Sequence, residues 1–379
     1  ADITDGVITS ASISDGTIVN ADISSTAAIT LNKLSGNPNF RNIVINGDMQ
    51  IAQRSISKAS ITNGDYHTLD RWYLAYSSLG TWTMSQSTDV PSGYGFAKSL
   101  KLDCTTANAS PSASSLIALQ YFTEGQNLQY LKKGTANAQS LTLSFWVKST
   151  KTGTFIVELG DNDNTRSISK SYTVSASNTW EFKTITYSGD TTGALDNDNA
   201  RSLDLNFWLG AGTNFTSGTL ATSWGTQTTA NRAVGQVNIA DNTVNDFLIT
   251  GVQLEAGTSA TDFEFLPYDV SLARCQRYYY KRISTDAYGP LAQGMQVGAS
   301  NMMIQGYHPV TMRASPTMST SGTWNYETGT TSGSWSMGSQ RTNPNAWSSE
   351  SSITATDGSA SIIYASNDTT AALIGSVEL

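Results

Sequence analysis

Apolar and polar residues alternate with a period of two along much of the chain, which is the pattern of strands with one buried face. Leu141, Leu143, Phe145 and Val147 alternate with Thr142, Ser144, Trp146 and Lys148. Leu203, Leu205, Phe207 and Leu209 alternate with Asp204, Asn206 and Trp208, and Trp180 and Phe182 with Glu181 and Lys183. Further strands are expected around 43–45, 71–76, 82–86, 99–104, 116–121, 155–159, 171–174 and 247–254. No long 3.6-residue period interrupts them, so the pattern predicts an all-β, two-sheet sandwich rather than a parallel α/β sheet.

The first residues follow a different rule. Ile3, Ile8, Ile13, Ile18 and Ile23 recur at intervals of five, within a ten-residue unit (ITDGVITSAS, ISDGTIVNAD, ISSTAAITLN). A step of five fits neither a helix nor a flat strand, and one such chain has too few apolar atoms to bury. Three chains wound together can share an Ile-lined axis, as in repeat arrays whose single units do not fold alone. A disordered Ser/Thr-rich leader is the alternative. The expected organisation is a trimerising stem over 1–36, a sandwich over 37–268, a linking helix over 269–283 and a small β tip over 284–379. Asp269 is the expected N-cap of that helix, which is predicted to run into a strand near 278–282.

Composition agrees with a β protein. Charged residues are 14 % of the chain, against roughly 25 % in ordinary globular proteins, and Ser, Thr, Asn and Gly take their place. The net charge of -8 and the absence of any Lys/Arg cluster argue against nucleic acid as a partner. They also leave no polybasic tether, and no apolar run is long enough for a membrane-spanning helix, so membrane insertion is not expected. Cys104 and Cys275 are read as buried thiols of a chain that folds in a reducing cytoplasm. The chain begins at Ala1 without a signal-peptide pattern, as after removal of an initiator Met or as a piece of something longer.

Several landmarks, in order, resemble the tail fibres and related receptor-binding appendages of tailed phages, marine and cyanobacterial ones included. They are segment 42–54 (NIVINGDMQIAQR), then Asp70-Arg71-Trp72, then segment 249–265 (ITGVQLEAGTSATDFEF), then 273–281 (ARCQRYYYK) and 308–317 (HPVTMRASPT). The resemblance implies a jelly roll like that of a carbohydrate-binding module, a homotrimer, and a place on the outside of the virion among other tail or head proteins. It implies attachment to a host-surface glycan or envelope receptor. A purely structural appendage is the alternative reading, and a polysaccharide depolymerase a further one. No virion-anchoring domain is recognisable ahead of the Ile repeat.

Candidate chemistry is sparse. His67 and His308 lie in no nucleophile-elbow context and are read as structural, so no catalytic triad is expected. Glycoside hydrolysis needs a carboxylate pair flanking the sugar; Glu124, Glu158, Glu181, Glu255 and Glu264, plus several Asp, are available, and nothing in the sequence marks a pair. No cofactor is expected. The near copies GDNDNTR (160–166) and LDNDNAR (195–201) present Asp161, Asp163, Asp196 and Asp198 as weak calcium candidates, against the simpler reading of Asx-rich turns. The aromatics carry the remaining signal. Trp324, Tyr326, Trp335 and Trp347, with Arg341, lie in short polar stretches and are candidates either for sugar binding or for packing across a trimer axis. Trp146 and Trp208 occupy the outward phase of their strands, as a sugar platform or a subunit contact.

Overall fold

Most period-two segments become strands in which the apolar phase turns inward; the one at 180–183 is the exception, since Phe182 faces outward and Ile185 and Tyr187 form the buried phase of its strand. The computed structural model describes residues 40–329 and 331–379; the Ile repeat of the expected stem lies outside them. Twelve strands come first among the described residues: β1 (Ser57–Ile61), β2 (Tyr73–Ser77), β3 (Thr81–Ser87), β4 (Ser99–Thr106), β5 (Leu116–Glu124), β6 (Leu141–Ser149), β7 (Gly153–Asp161), β8 (Arg166–Val174), β9 (Glu181–Tyr187), β10 (Arg201–Ala211), β11 (Gly225–Thr226) and β12 (Asp246–Ala256). They form two six-stranded sheets, ordered β1-β3-β4-β12-β6-β9 and β11-β8-β7-β10-β5-β2. Neighbours pair antiparallel in both, as in the β12–β6 and β10–β7 ladders. Leu143, Phe145 and Val147 of β6 meet Leu205 and Phe207 of β10 in one core, with Phe145 and Phe207 edge to face at 5.1 Å. The described residues thus form an all-β protein built on a two-sheet sandwich, as the alternation predicts.

One expected strand is absent. Residues 43–45 form a bend and the start of a turn, although Ile43, Val44 and Ile45 are buried. Ile43 keeps one backbone partner, its N–H donating to the Leu254 carbonyl at 2.8 Å, and side chains serve the next two residues: the Ile45 N–H donates to the Tyr121 hydroxyl at 2.8 Å. Asn42 accepts from the backbone N–H of Val44 and of Leu254 at 3.0 and 3.1 Å and donates to the Val252 carbonyl. The expected helix is shorter than 269–283. It spans Tyr268–Gln276 and begins directly after Pro267, so Asp269 sits in its first turn and is not the N-cap. Pro267 occupies the N-cap in an extended conformation, with ψ 143°, and offers no side-chain cap. The rest of the segment is the strand β13 (Tyr279–Ile283).

Nine more strands follow: β14 (Pro290–Val297), β15 (Asn301–Tyr307), β16 (Thr317–Ser321), β17 (Trp324–Thr328), β18 (Ser332–Trp335), β19 (Ser339–Thr342), β20 (Ala346–Ser352), β21 (Ala360–Ala365) and β22 (Ala372–Ser376). They make a three-stranded sheet, β13-β22-β16, and a seven-stranded one, β18-β17-β21-β14-β15-β20-β19. These sheets enclose a second core around Met302, Ile304 and Ile363.

Residues Asn42–Leu379 form one compact unit. Ion pairs tie its two cores together. Arg277 donates to both oxygens of Glu124 at 2.9 and 2.8 Å. Arg71 and Arg54 both reach Glu378, just beyond β22. Asp70 lies behind this cluster with a fully buried side chain. Burial pushes its carboxyl up to about 6, against the opposing pull of Arg54 and Gln53. A raised folded-state value favours the protonated form, so this contribution is complete below pH 3.8 and is lost as pH rises through about 6. The expected loss is about 2 kcal/mol between pH 4 and 7. Urea unfolding of wild type and Asp70→Asn across that range checks it: the difference between them should track this slope, and parallel profiles would contradict it.

Candidate functional site

On the outward face of the first sheet, aromatic side chains from three parts of the chain meet. Trp146 of β6 stands opposite Phe182 of β9 in the ladder, with ring centroids 5.3 Å apart. On its other side Trp146 pairs with Thr250 of β12. The next residue, Gly251, has φ +62° where the β12 register shifts. A Cβ there would lie 2.6 Å from the Phe96 ring, so the missing side chain lets that ring settle onto the strand. Gly93 and Gly95, with φ +86° and +81°, fold the loop before β4 so that Tyr94 packs on Trp146 at 4.3 Å. Phe263 and Phe265, in the segment after β12, pack on Phe96 at 5.1 Å each.

These six rings line a cleft of about 490 Å³, in the size range of small-ligand sites. Its aromatic surface is open to water: Tyr94, Phe182 and Phe265 are 55, 48 and 46 % exposed. Neighbouring rings in contact are tilted by 43 to 69°. The site is therefore a faceted hollow and not a flat platform. Ser144, Thr261 and Asp262 add polar groups to the lining. Near it, Lys148 donates to Asp89 at 2.6 Å and the Trp180 indole N–H donates to the same carboxylate at 2.9 Å. Burial alone would raise the Asp89 carboxyl, and these two bonds hold it below its usual range. The basic group beside the cleft is thus already matched by a carboxylate. Rings with apolar faces, ringed by hydroxyl and carboxylate acceptors, suit a neutral ligand that is apolar on its faces and hydroxylated at its edges.

The sequence singles out Trp146, and it lies at the centre of this cleft. Trp208 does not form an open platform. It is buried under the excursion between β10 and β12, against Phe215 at 5.3 Å, and its indole N–H donates to Glu158 at 3.1 Å. Tyr94, Phe182, Phe263 and Phe265 were not expected at a site. The available signals were the Gly-Tyr-Gly-Phe run at 93–96 and the Phe-Glu-Phe run at 263–265.

Trp324, Trp335 and Trp347 are placed in strands and not in loops, and they are 3, 5 and 3 % exposed in the core of their own chain. Trp324 and Trp335 pair directly across the β17–β18 ladder. A strand that alternates Ser or Asn with Trp buries the Trp phase, so polar neighbours did not signal a loop. Tyr326 packs half-buried against the same core. Arg341 is exposed and loosely paired with Glu350 at 3.7 Å.

The four acidic calcium candidates do not converge on one point. Asp161 takes the ammonium of Lys133, Asp163 accepts from the backbone N–H of Asp196 at 2.9 Å, and Asp198 accepts from that of Ala200 at 2.9 Å. Lys133 also meets Asp190 at 3.0 Å and the carbonyls of Thr192 and Gly193 at 3.2 and 2.8 Å. An ammonium group thus fills an oxygen-lined position between the loops. Among the described residues, no group of three or more His, Cys, Asp and Glu is placed to hold a metal.

The five glutamates weighed for hydrolysis are all engaged. Glu124 is bound by Arg277, Glu158 by Arg232, Glu181 by the backbone N–H groups of Ser175 and Ala176, Glu255 by Thr261, and Glu264 by the Asn42 backbone. His67 contacts the Asn63 carbonyl at 3.1 Å, and His308 bridges the Tyr280 hydroxyl and the Asn343 carbonyl. Cys104 and Cys275 are free and buried.

No protein-family model matches the chain, and no curated protein sequence is recognisably similar to it. Solved structures with partial likeness include the enzymatically active domain of bacteriophage CBA120 tailspike protein 4, at 16 % identity and a TM-score of 0.31, over 57 % of this chain and 22 % of that one. The present chain thus spans about a fifth of the tailspike chain's length. CBM4 is similar at 11 % identity and a TM-score of 0.29, over 56 % of this chain and all of that one. TmCBM61 in complex with β-1,4-galactotriose is similar at 9 % identity and a TM-score of 0.30, over 57 and 99 % of the two chains. Likeness of this degree carries no argument about ligand or role.

Proposed function

We propose that the chain is a non-catalytic, glycan-binding fibre protein of a tailed-phage particle, acting as a homotrimer in attachment to the host surface. The observation that carries the binding half of this reading is the open aromatic hollow around Trp146. Six rings, three of them about half exposed, are costly to leave in water unless a ligand covers them. A sugar presents apolar C–H faces to such rings and hydroxyls to the acceptors at the rim.

The fibre half rests on the ordered sequence landmarks and on the Ile repeat. Three identical sites on one rigid body raise avidity through effective concentration, so each needs only modest affinity. On this reading the protein is made in the host cytoplasm and works on the outside of the virion, joined to other tail or head proteins. Light scattering tests the trimer: a stable monomer of 40.5 kDa would remove it. Retention on intact cells of candidate hosts tests attachment, and loss of binding in Phe182→Ala locates it to the cleft. Reducing ends released from host polysaccharide would point instead to a depolymerase. A chain that binds no cell and no glycan would be a structural appendage.

A further inference from the structure

The seven-stranded sheet carries a second polar hollow, remote in sequence from the cleft. On its outward face Tyr307 of β15 stands opposite Ala346 of β20, and Ser348 of β20 stands opposite Arg341 of β19. Strands lie about 5 Å apart, so Tyr307 and Arg341 flank β20 from its two sides, roughly 10 Å apart along the sheet. Between them the floor is made of two small side chains, Ala346 and Ser348. The result is a trough of about 220 Å³, completed at one end by Thr342 and Asn343. Gly306 runs flush against the buried Trp347 indole, where a Cβ would lie 2.9 Å from three ring atoms, so the trough has a rigid base.

Its two walls are unusually open. Tyr307 is 83 % exposed, the most exposed of the large hydrophobic side chains among the described residues. The Arg341 side chain is 72 % exposed and meets Glu350 only at 3.7 Å, beyond hydrogen-bond range. An aromatic face and a guanidinium fork across a floor of small side chains fit a single sugar residue bearing a carboxylate. The ring would lie against Tyr307, and the carboxylate would take two parallel N–H bonds from Arg341. Lysine-free surroundings and the planar fork favour a carboxylate geometry over a diffuse anion patch.

We infer that this trough is a second ligand site, selective for an acidic sugar such as a uronate, and separate from the aromatic cleft on the sandwich. Glu350 sets its limit, because a carboxylate beside Arg341 opposes an incoming anion. The site needs no groups from the cleft, so either can fail without the other.

The test is calorimetric titration of the full chain with oligogalacturonate and with the methyl ester of the same oligomer, which has lost its charge. Wild type is expected to bind the acid and to bind the ester at least tenfold more weakly. Arg341→Ala and Tyr307→Ala should each weaken the acid at least tenfold. Glu350→Gln should strengthen it severalfold, and Trp146→Ala should leave it unchanged. Both wall residues are exposed, so their loss should leave the unfolding midpoint where it is. Equal binding of acid and ester, no effect of Arg341→Ala, no gain in Glu350→Gln, or loss in Trp146→Ala would each overturn the inference. So would a wild type that binds neither probe.

Discussion

Arg71→Ala is expected to remove about 3–5 kcal/mol of folding stability, the usual effect of leaving one partner of a buried ion pair alone. Arg71 is fully buried. Its guanidinium lies 3.5 Å from the centre of the Tyr278 ring, donates to the Phe122 carbonyl at 2.6 Å and pairs with Glu378. One side chain therefore joins β5, the strand entry at Tyr278 and the residues after β22. Its loss leaves Glu378 with Arg54 alone, at 2.8 Å, and opens a cavity under Tyr278. Arg71→Lys should recover only part of the loss, because a compact ammonium cannot stack on Tyr278 and serve two acceptors in a plane. Urea midpoints of the three proteins decide this, and a wild-type midpoint in Arg71→Ala would show that the cluster contributes little.

Lys133→Ala should act with similar size, again about 3–5 kcal/mol, but on different loops. The Lys133 ammonium is nearly buried between Asp161 and Asp190, whose side chains are 0 and 3 % exposed. Burial alone would raise the Asp190 carboxyl; Arg166 and Lys133 hold it below its usual range instead. Without Lys133 the buried Asp161 loses its cation and keeps only the Asn164 donors, Asp190 keeps Arg166 and the Thr192 N–H, and two carbonyl oxygens lose their donor. The vacated position is lined by hard oxygens, the donor set of calcium. Millimolar calcium is therefore expected to recover part of the lost thermal midpoint in Lys133→Ala and to leave wild type unmoved. A variant as stable as wild type, or calcium acting equally on both, would contradict this account.

The same residues explain how much was legible in the sequence. Strand placement was legible because β4, β6 and β10 each send an unbroken apolar phase into the core, so that phase is written into the chain. The Asp70-Arg71-Trp72 landmark turns out to be a packing device. Asp70 is bonded to the Gln53 backbone, Arg71 to Glu378, and the Trp72 indole donates to the Asn46 carbonyl at 3.1 Å. Such residues mark a fold and not a ligand. The 43–45 segment misled because the Asn42 amide and the Tyr121 hydroxyl take the N–H groups of Val44 and Ile45, bonds that alternation does not register. The Trp residues after 320 misled for the opposite reason: their Ser and Asn neighbours are merely the outward phase of buried strands. The cleft was half legible. Trp146 shows as an aromatic on a polar phase, whereas Tyr94, Phe263 and Phe265 come from loops whose meeting point only the fold defines. The role of Lys133 was invisible, since attention to two Asp-Asn loops gives no hint of a cation supplied by a third.

The central claim is that the hollow around Trp146 binds a glycan, and the most direct test is an array of neutral oligosaccharides probed with wild type and Trp146→Ala side by side. Trp146 is outward-facing, so its removal should leave the urea midpoint close to wild type. Losing the central ring should cost about 2 kcal/mol of binding, or roughly a 30-fold weaker affinity. The account predicts neutral glycans retained by wild type and lost, in the same conditions, by the variant. A variant that holds its glycans as tightly as wild type would contradict it.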